Sequence, residues 1–172
     1  YNLLGREIEL EILPVCLEEE VGVLVWSPLA GGWLSGKYSP DQRPTGATRL
    51  GDDPNRGIEA YDLRNQARTW AVLEIITDIA TDREVSAAQV SLNWLRGRPG
   101  IASVLLGTRT VAQLGDNLAA LDWELNSSER NRLDLVSAPG MPLYPHGFLE
   151  AYAGMTTWAD LATRAEPPPI GR

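Results

Sequence analysis

The chain reads as an α/β protein that carries part of a larger parallel-sheet fold. Three observations predict this. Val21-Gly-Val-Leu-Val-Trp26 and Ala102-Ser-Val-Leu-Leu106 are short, mostly apolar runs bounded by turn residues, as parallel strands buried on both faces are. Stretches of helical periodicity lie between and after them, so the strands are joined by right-handed crossovers and run parallel. Two full strands cannot close a sheet, and their edges stay open to pairing with another chain.

The elements can be justified in chain order. Tyr1-Asn2-Leu3-Leu4 looks like the tail of a strand whose beginning is missing, with no initiator methionine and no signal peptide. Residues 7–20 are expected to be helical, with Ile8, Ile12, Val15 and Leu17 near one face and Glu18-Glu19-Glu20 on the solvent side. Cys16, between Val15 and Leu17, is expected in the core. After the first strand, residues 27–61 are rich in Gly, Pro, Ser and Asp. So long a stretch without regular structure is more often functional or mobile. A helix over 62–82 would bury Leu63, Ala67, Trp70, Leu73, Ile76 and Ala80. Ser86-x-x-Gln89 has the form of a capping box opening a helix through Leu95, with Gly97 as its stop. Beyond the second strand, Thr110-x-x-Gln113 opens another helix with Val111, Leu114, Leu118 and Leu121 as its core stripe. Asn126 or Ser127 caps a last helix to about Val136. Residues 138–172 show little periodicity, and Glu166-Pro-Pro-Pro169 is expected to be disordered.

Bulk properties narrow the partners. The 172 residues make one domain the default, and the net charge of −8 argues against nucleic acid and anionic membrane. No apolar run approaches the roughly 18 residues of a membrane span. One cysteine excludes an internal disulfide and fits a reducing compartment, so a cytoplasmic location is expected.

Two strand ends carry the chemistry. Gly107-Thr108-Arg109-Thr110 joins the second strand to a helix bearing Gln113, Asp116 and Asn117. Free N–H groups and the positive dipole at a helix start attract an anion, and the Arg109 fork fits phosphate oxygens. Gln113 has a purely local role open to it, as the fourth residue of a capping box. The other strand end, Trp26-Ser-Pro-Leu-Ala-Gly31-Gly-Trp-Leu-Ser-Gly36-Lys37-Tyr38, offers a flat ring, glycines that let backbone approach a ligand, and a lysine. Core packing for Trp26 and a solvated surface for Lys37 are the plain alternatives. Asp52-Asp53-Pro-Asn55 reads as a solvated turn, since no calcium-loop pattern comes after it.

Trp26-Ser-Pro-Leu-Ala-Gly-Gly-x-x-Ser-Gly-Lys37-Tyr and Val104-Leu-Leu-Gly-x-Arg-Thr-x-x-Gln113-Leu-x-x-Asn117 together resemble the cofactor half of an aldo-keto reductase. The nearest group is the bacterial reductases that resemble potassium-channel β-subunits. Tyr1-Asn-Leu-Leu-Gly-Arg6-x-x-Glu9 is similar to that family's segment after the sixth barrel strand, so the resemblance runs to about Val136. It implies the C-terminal portion of a (β/α)₈ TIM barrel, incomplete in this chain, with residues 1–137 as the cofactor part and 138–172 as a C-terminal loop and tail.

The resemblance also implies NADPH, bound in an extended pose. Trp26 would stack on the nicotinamide. Ser27, Pro28, Leu29 and Gly31 would line the diphosphate and ribose path. Lys37 and Arg49 would close over the phosphates, Gly107 and Arg109 would hold the 2′-phosphate, and Gln113 and Asn117 would meet the adenine end with Asp116 nearby. The family's proton donor, a Tyr helped by Lys, Asp and His, has no match here. Tyr38, Tyr61, Tyr144 and Tyr152 stand at the wrong places, and His146 reads as a loop histidine. The intact protein is therefore expected to transfer hydride between NADPH and a small aldehyde or ketone, with a missing N-terminal barrel half or another chain as partner. A non-catalytic nucleotide-binding or interaction module, or a degenerate remnant, remains open.

Overall fold

A computed structural model describes residues 1–148 apart from Ala47, Asp52 and Arg56. Asp52, Tyr152 and the proline-rich segment 166–169 thus lie outside the described residues. The elements are α1 (Ile12–Glu18), β1 (Val23–Val25), α2 (Tyr61–Arg64), α3 (Ala67–Arg83), α4 (Ala87–Arg96), β2 (Ile101–Val104), α5 (Val111–Leu118) and α6 (Ser127–Val136). β1 and β2 form a parallel two-stranded sheet, with Val23 opposite Ile101, Val25 opposite Val104 and an irregular step between Val23 and Leu24. The mixed α/β character and the parallel pairing agree with the expectation. Residues 1–5 carry no named strand, only an isolated antiparallel bridge between Asn2 and Gly5. That segment is instead held to the end of β1 by the Asn2 carboxamide, which donates to the Ser27 carbonyl at 3.0 Å.

The core lies between the sheet and the helices. α3 packs against α4 and α6, and α4 against β2 and α5. Trp33, Trp94, Leu13, Leu34, Ile76 and Leu133 are fully buried there. The described residues of the long segment after β1 form no strand or long helix, yet they are pinned. Trp33 sits among Tyr38, Tyr61 and Trp70, with ring centroids 5.0, 5.6 and 5.6 Å away. The Trp33 indole donates to the Glu59 carbonyl at 2.9 Å, and the Tyr61 hydroxyl to Ser39 and Pro40 carbonyls at 2.7 and 2.8 Å. Buried aromatics that also make such bonds fix a loop without regular structure.

A second tie joins the two ends of the described fold. Arg6 and Arg98 both reach the Glu9 carboxylate and stack on Trp94, 5.3 and 4.9 Å from its ring. Arg98 and the Trp94 indole also reach Asp134 of α6 at 2.9 and 2.8 Å. The Tyr1 hydroxyl bonds to Glu9 and Arg98, and burial raises its pKa.

Several expected faces are corrected. The first helix does not run over 7–20; a short turn at Glu7–Glu9 precedes α1. Pro14 lacks an N–H and its ring clashes with the carbonyl four residues back, so it is tolerated only in a first turn, and α1 starts two residues before it. Leu13 is buried there, whereas Ile12 and Val15 are exposed. Cys16 is half-buried rather than core. The expected helix 62–82 is two pieces, because Gln66 is extended and Asn65 accepts the Trp70 indole N–H at 2.7 Å. Thr69, Val72, Leu73, Ile76, Ile79 and Ala80 then face inward, while Leu63 and Ala67 are exposed.

Neither strand is buried on both faces. Leu24 is 61 % exposed and Leu105, just past β2, 50 %. The expected core stripe of α5 is open as well: Val111 is 87 % exposed and Leu121 60 %, with Leu114 and Leu118 also exposed. The periodicity is present, but no described element covers that face.

Candidate functional site

The groove starts where β1 ends. Ser27 and Ala30 have φ of +54° and +47°, followed by Gly31 at +65° and Gly32 at +101°. A non-glycine residue in this left-handed region costs on the order of 1 kcal/mol. Ser27 is held there by two bonds to its carbonyl, from the Asn2 side chain and from the Ala30 N–H at 3.0 Å. The effect is to turn the backbone sharply and leave the Trp26 ring open, 64 % exposed, at the groove's edge. At Gly32, the ammonium of Lys37 occupies the space a Cβ would need. Lys37 can therefore fold back across the glycines, with its nitrogen 5.3 Å from the Tyr38 ring centre.

The opposite wall comes from the end of β2 and the start of α5. Thr110 caps α5, its hydroxyl accepting the Gln113 N–H at 3.2 Å. Gln113 does not complete the box on Thr110. Its side-chain oxygen accepts the Arg109 N–H at 3.0 Å, which shapes the Gly107–Thr110 turn and leaves the amide NH₂ as a donor. Gln89, the fourth residue of the earlier box, also departs from it: Ser86 caps α4, but the Gln89 side chain bonds to Asp116 and Trp123 instead.

These two walls enclose one cavity of about 790 Å³. Trp26, Ser27, Pro28, Leu29, Gly31, Lys37 and Arg49 line it from the β1 side. Gly107, Arg109, Gln113, Asp116 and Asn117 line it from the β2 side. Every residue assigned to the groove from sequence thus meets at a single cavity. Sequence reasoning missed Ser35, Thr48 and Ala88, which also line it. Ala88 sits on α4, and no local pattern marks a helix residue as facing a cavity between two distant loops.

Charge gathers at one end. The Lys37 ammonium is held below its usual pKa, first by burial and then by the like charges of Arg109 and Arg49. Three cations near enough to oppose one another favour an anion between them. Asn117 is only 7 % exposed, the one buried residue of α5, and it lines the cavity.

Other candidate groups lie elsewhere. His146 pairs with Glu11 across 3.2 Å, outside the groove. The Tyr38 hydroxyl points to the Gly31 carbonyl at 3.4 Å, and Tyr144 is exposed. Asp53 accepts the Asn55 N–H at 3.1 Å, as a turn residue does.

The groove's geometry can be set beside known proteins. The sequence profile of the Aldo/keto reductase family matches residues 1–138. The chain belongs to the aldo/keto reductase family. Among relatives, it is 33 % identical over 141 residues to the uncharacterized oxidoreductase YrpG of Bacillus subtilis, covering 81 % of this chain and 40 % of that protein. It is 32 % identical over 127 residues to a probable voltage-gated potassium channel subunit beta of Arabidopsis thaliana, covering 71 % and 37 %. It is 31 % identical over 136 residues to the protein tas of Escherichia coli, covering 79 % and 38 %. The match therefore spans about two fifths of these relatives. Among the described residues, no helix of this aldo/keto reductase chain is long and apolar enough to cross a membrane.

Proposed function

We propose that the chain forms the cofactor groove of an NADPH-dependent aldo-keto reductase, and that the intact protein moves hydride between NADPH and a small aldehyde or ketone. The observation that carries this is the single cavity joining the open Trp26 ring to the Lys37, Arg49 and Arg109 charges. Bound there, NADPH supplies the hydride. The chain's residues bind and orient: Trp26 stacks on the nicotinamide and fixes the face presented to substrate. Ser27, Pro28, Leu29 and Gly31 line the ribose and diphosphate path. Lys37 and Arg49 neutralise the phosphates. Gly107 and Arg109 hold the 2′-phosphate, and Gln113 and Asn117 meet the adenine.

Among the described residues no tyrosine or histidine lines the groove, so the proton donor would come from elsewhere in the intact protein. Tyr1, Tyr38 and Tyr61 hydroxyls are each committed to other partners. The remaining strands of a (β/α)₈ barrel, from an N-terminal half or another chain, would bring that donor and cover the open sheet and the α5 stripe. A cytoplasmic setting agrees with the unpaired Cys16.

Titrating the full chain with NADPH while following tryptophan emission tests the reading. Saturable quenching that Trp26→Leu removes is expected. No binding, by the chain or by the chain joined to an N-terminal barrel half, would overturn it. Tight binding with no carbonyl reduction after joining would favour a non-catalytic nucleotide-binding module.

A further inference from the structure

The turn at Ser27 runs against its own backbone preference. Its φ of +54° lies in the left-handed region, whereas a residue before a proline, here Pro28, favours extended backbone. The Trp26 ring on one side and the Pro28 and Leu29 wall on the other take their direction from this residue, and all three line the cavity. A contact from outside the turn is needed to hold it, and the Asn2 side chain supplies one. The Ser27 carbonyl accepts from the Asn2 NH₂ at 3.0 Å and from the Ala30 N–H at 3.0 Å, which occupies both of its lone pairs.

The orientation of the Asn2 carboxamide is set by its other bond. The Leu4 N–H can only donate, and it meets the Asn2 Oδ1 at 2.9 Å, which leaves the NH₂ to face Ser27. Asn2 is itself fixed: it is buried, its backbone exchanges bonds of 3.2 and 3.0 Å with Gly5, and Leu3 and Leu4 beside it belong to the core. Arg64 donates to the Leu4 carbonyl at 2.8 Å and pairs with Glu59 at 2.8 Å, and the Glu59 carbonyl accepts the Trp33 indole N–H. A Cβ at Gly31 would come within 3.0 Å of the Glu59 stem. One segment thus grips the turn at both ends, at Ser27 through Asn2 and at Gly31 and Trp33 through Arg64 and Glu59. Asn2 does not line the cavity.

We infer that Asn2 is a positioning residue for the nicotinamide end of the groove: by donating to the Ser27 carbonyl it keeps that residue left-handed, and so aims the Trp26 ring and shapes the ribose path, without touching the nucleotide. Without this bond Ser27 relaxes toward the extended backbone that Pro28 favours, and the peptides on either side swing with it. The wall that carries Arg109, Gln113 and Asn117 is built on β2 and α5 and does not depend on the bond. The inference rests on the groove reading, and its test separates the two.

The test uses the full chain and two probes: NADPH, which spans the groove, and adenosine 2′,5′-bisphosphate, which reaches only the Arg109 end. Asn2→Asp keeps the acceptor for Leu4 and loses the donor to Ser27. It is expected to weaken NADPH about tenfold and the bisphosphate less than about twofold. Ser27→Gly supplies a residue that takes a positive φ without steric cost. In that background Asn2→Asp is expected to weaken NADPH by no more than about a further twofold, because Asn2 acts through the Ser27 backbone. Hydrogen exchange of the Ala30 amide in the free chain is expected to rise in Asn2→Asp, with α3 amides unchanged. Equal losses for both probes would show that Asn2 supports the fold at large and overturn the inference. So would unchanged NADPH affinity, a cost that stays undiminished in the Ser27→Gly background, or Ala30 exchange at the wild-type level. If the wild type binds neither probe, the groove reading fails, and Ala30 exchange still decides whether Asn2 holds the turn. Asn2→Ala carries the same expectations should Asn2→Asp not fold.

Discussion

Arg109 and Lys37 separate cofactor choice from general anion binding. Under the groove reading, Arg109 faces a 2′-phosphate that NADPH has and NADH lacks. One charge-assisted bond contributes roughly 1.5–3 kcal/mol, so Arg109→Ala is expected to weaken NADPH about ten- to a hundredfold and NADH much less. Equal losses for both, measured by calorimetry, would remove the assignment. Lys37 makes a prediction about protons. Burial and its two cationic neighbours lower its pKa in the free groove. A bound phosphate stabilises the ammonium and raises that pKa again. Between the lowered free value and the raised bound value, binding must therefore take up a proton, and affinity falls as pH rises through this alkaline window. Titrations in two buffers of different ionisation heat should show the uptake in wild type and its loss in Lys37→Met. These residues were legible in sequence because each strand end announces itself: an apolar run, then glycine, then a cation or ring. Ala88 and Thr48 were not, since their place at the cavity depends on packing between distant segments.

At the level of elements the N-caps Ser86, Thr110 and Asn126 are legible in the sequence, whereas where the Gln89 and Gln113 side chains turn, and what covers an apolar face, are not. Asn126 caps α6 as expected, and Glu129 returns a bond to the Asn126 N–H at 2.7 Å, a complete capping box. The same Glu129 carboxylate pairs with Arg83 of α3 through two 2.7 Å bonds. Its pKa is held below the usual carboxylate range, chiefly by Arg83. A folded pKa below the unfolded one adds stability at pH above the unfolded value, lost as pH falls through the folded value. Chemical denaturation of wild type and Glu129→Gln should therefore differ at neutral pH and converge in acid. Asn126→Ala should cost about 0.5–2 kcal/mol at any of these pH values. Caps are legible because their partners lie within three residues. The α5 stripe shows the opposite case: Val111, Leu114, Leu118 and Leu121 reveal which face is apolar, but burial requires an element on the other side. In α1 the start is set by Pro14, which fits only a first turn, so Leu13 and not Ile12 or Val15 faces inward. In α3 the expected Leu73, Ile76 and Ala80 are buried, and the misses, Leu63 and Ala67, lie before or just after the break at Gln66.

The whole molecule joins a well-packed helical side to an open sheet. Leu24, Val111 and Leu121 are each more than half exposed, and none of them lines the cavity. Exposed apolar side chains scattered singly need no explanation, but a strand face and a helix stripe open together form a surface suited to association. Under the proposed function this surface receives the remaining barrel strands, and the groove does not. The two roles can be separated by substitution. Val111→Glu with Leu121→Glu places charges on the stripe, and neither residue lines the cavity. The pair should leave NADPH binding by the chain within about twofold, and should abolish carbonyl reduction restored by a co-expressed N-terminal segment from the Bacillus subtilis relative. Burying two unpaired carboxylates at such a joint is costly enough to prevent it. Undiminished restoration by the charged variant would show that the partner docks elsewhere. Loss of NADPH binding together with restoration would show that the stripe shapes the groove itself, and would tie cofactor affinity to completion of the fold.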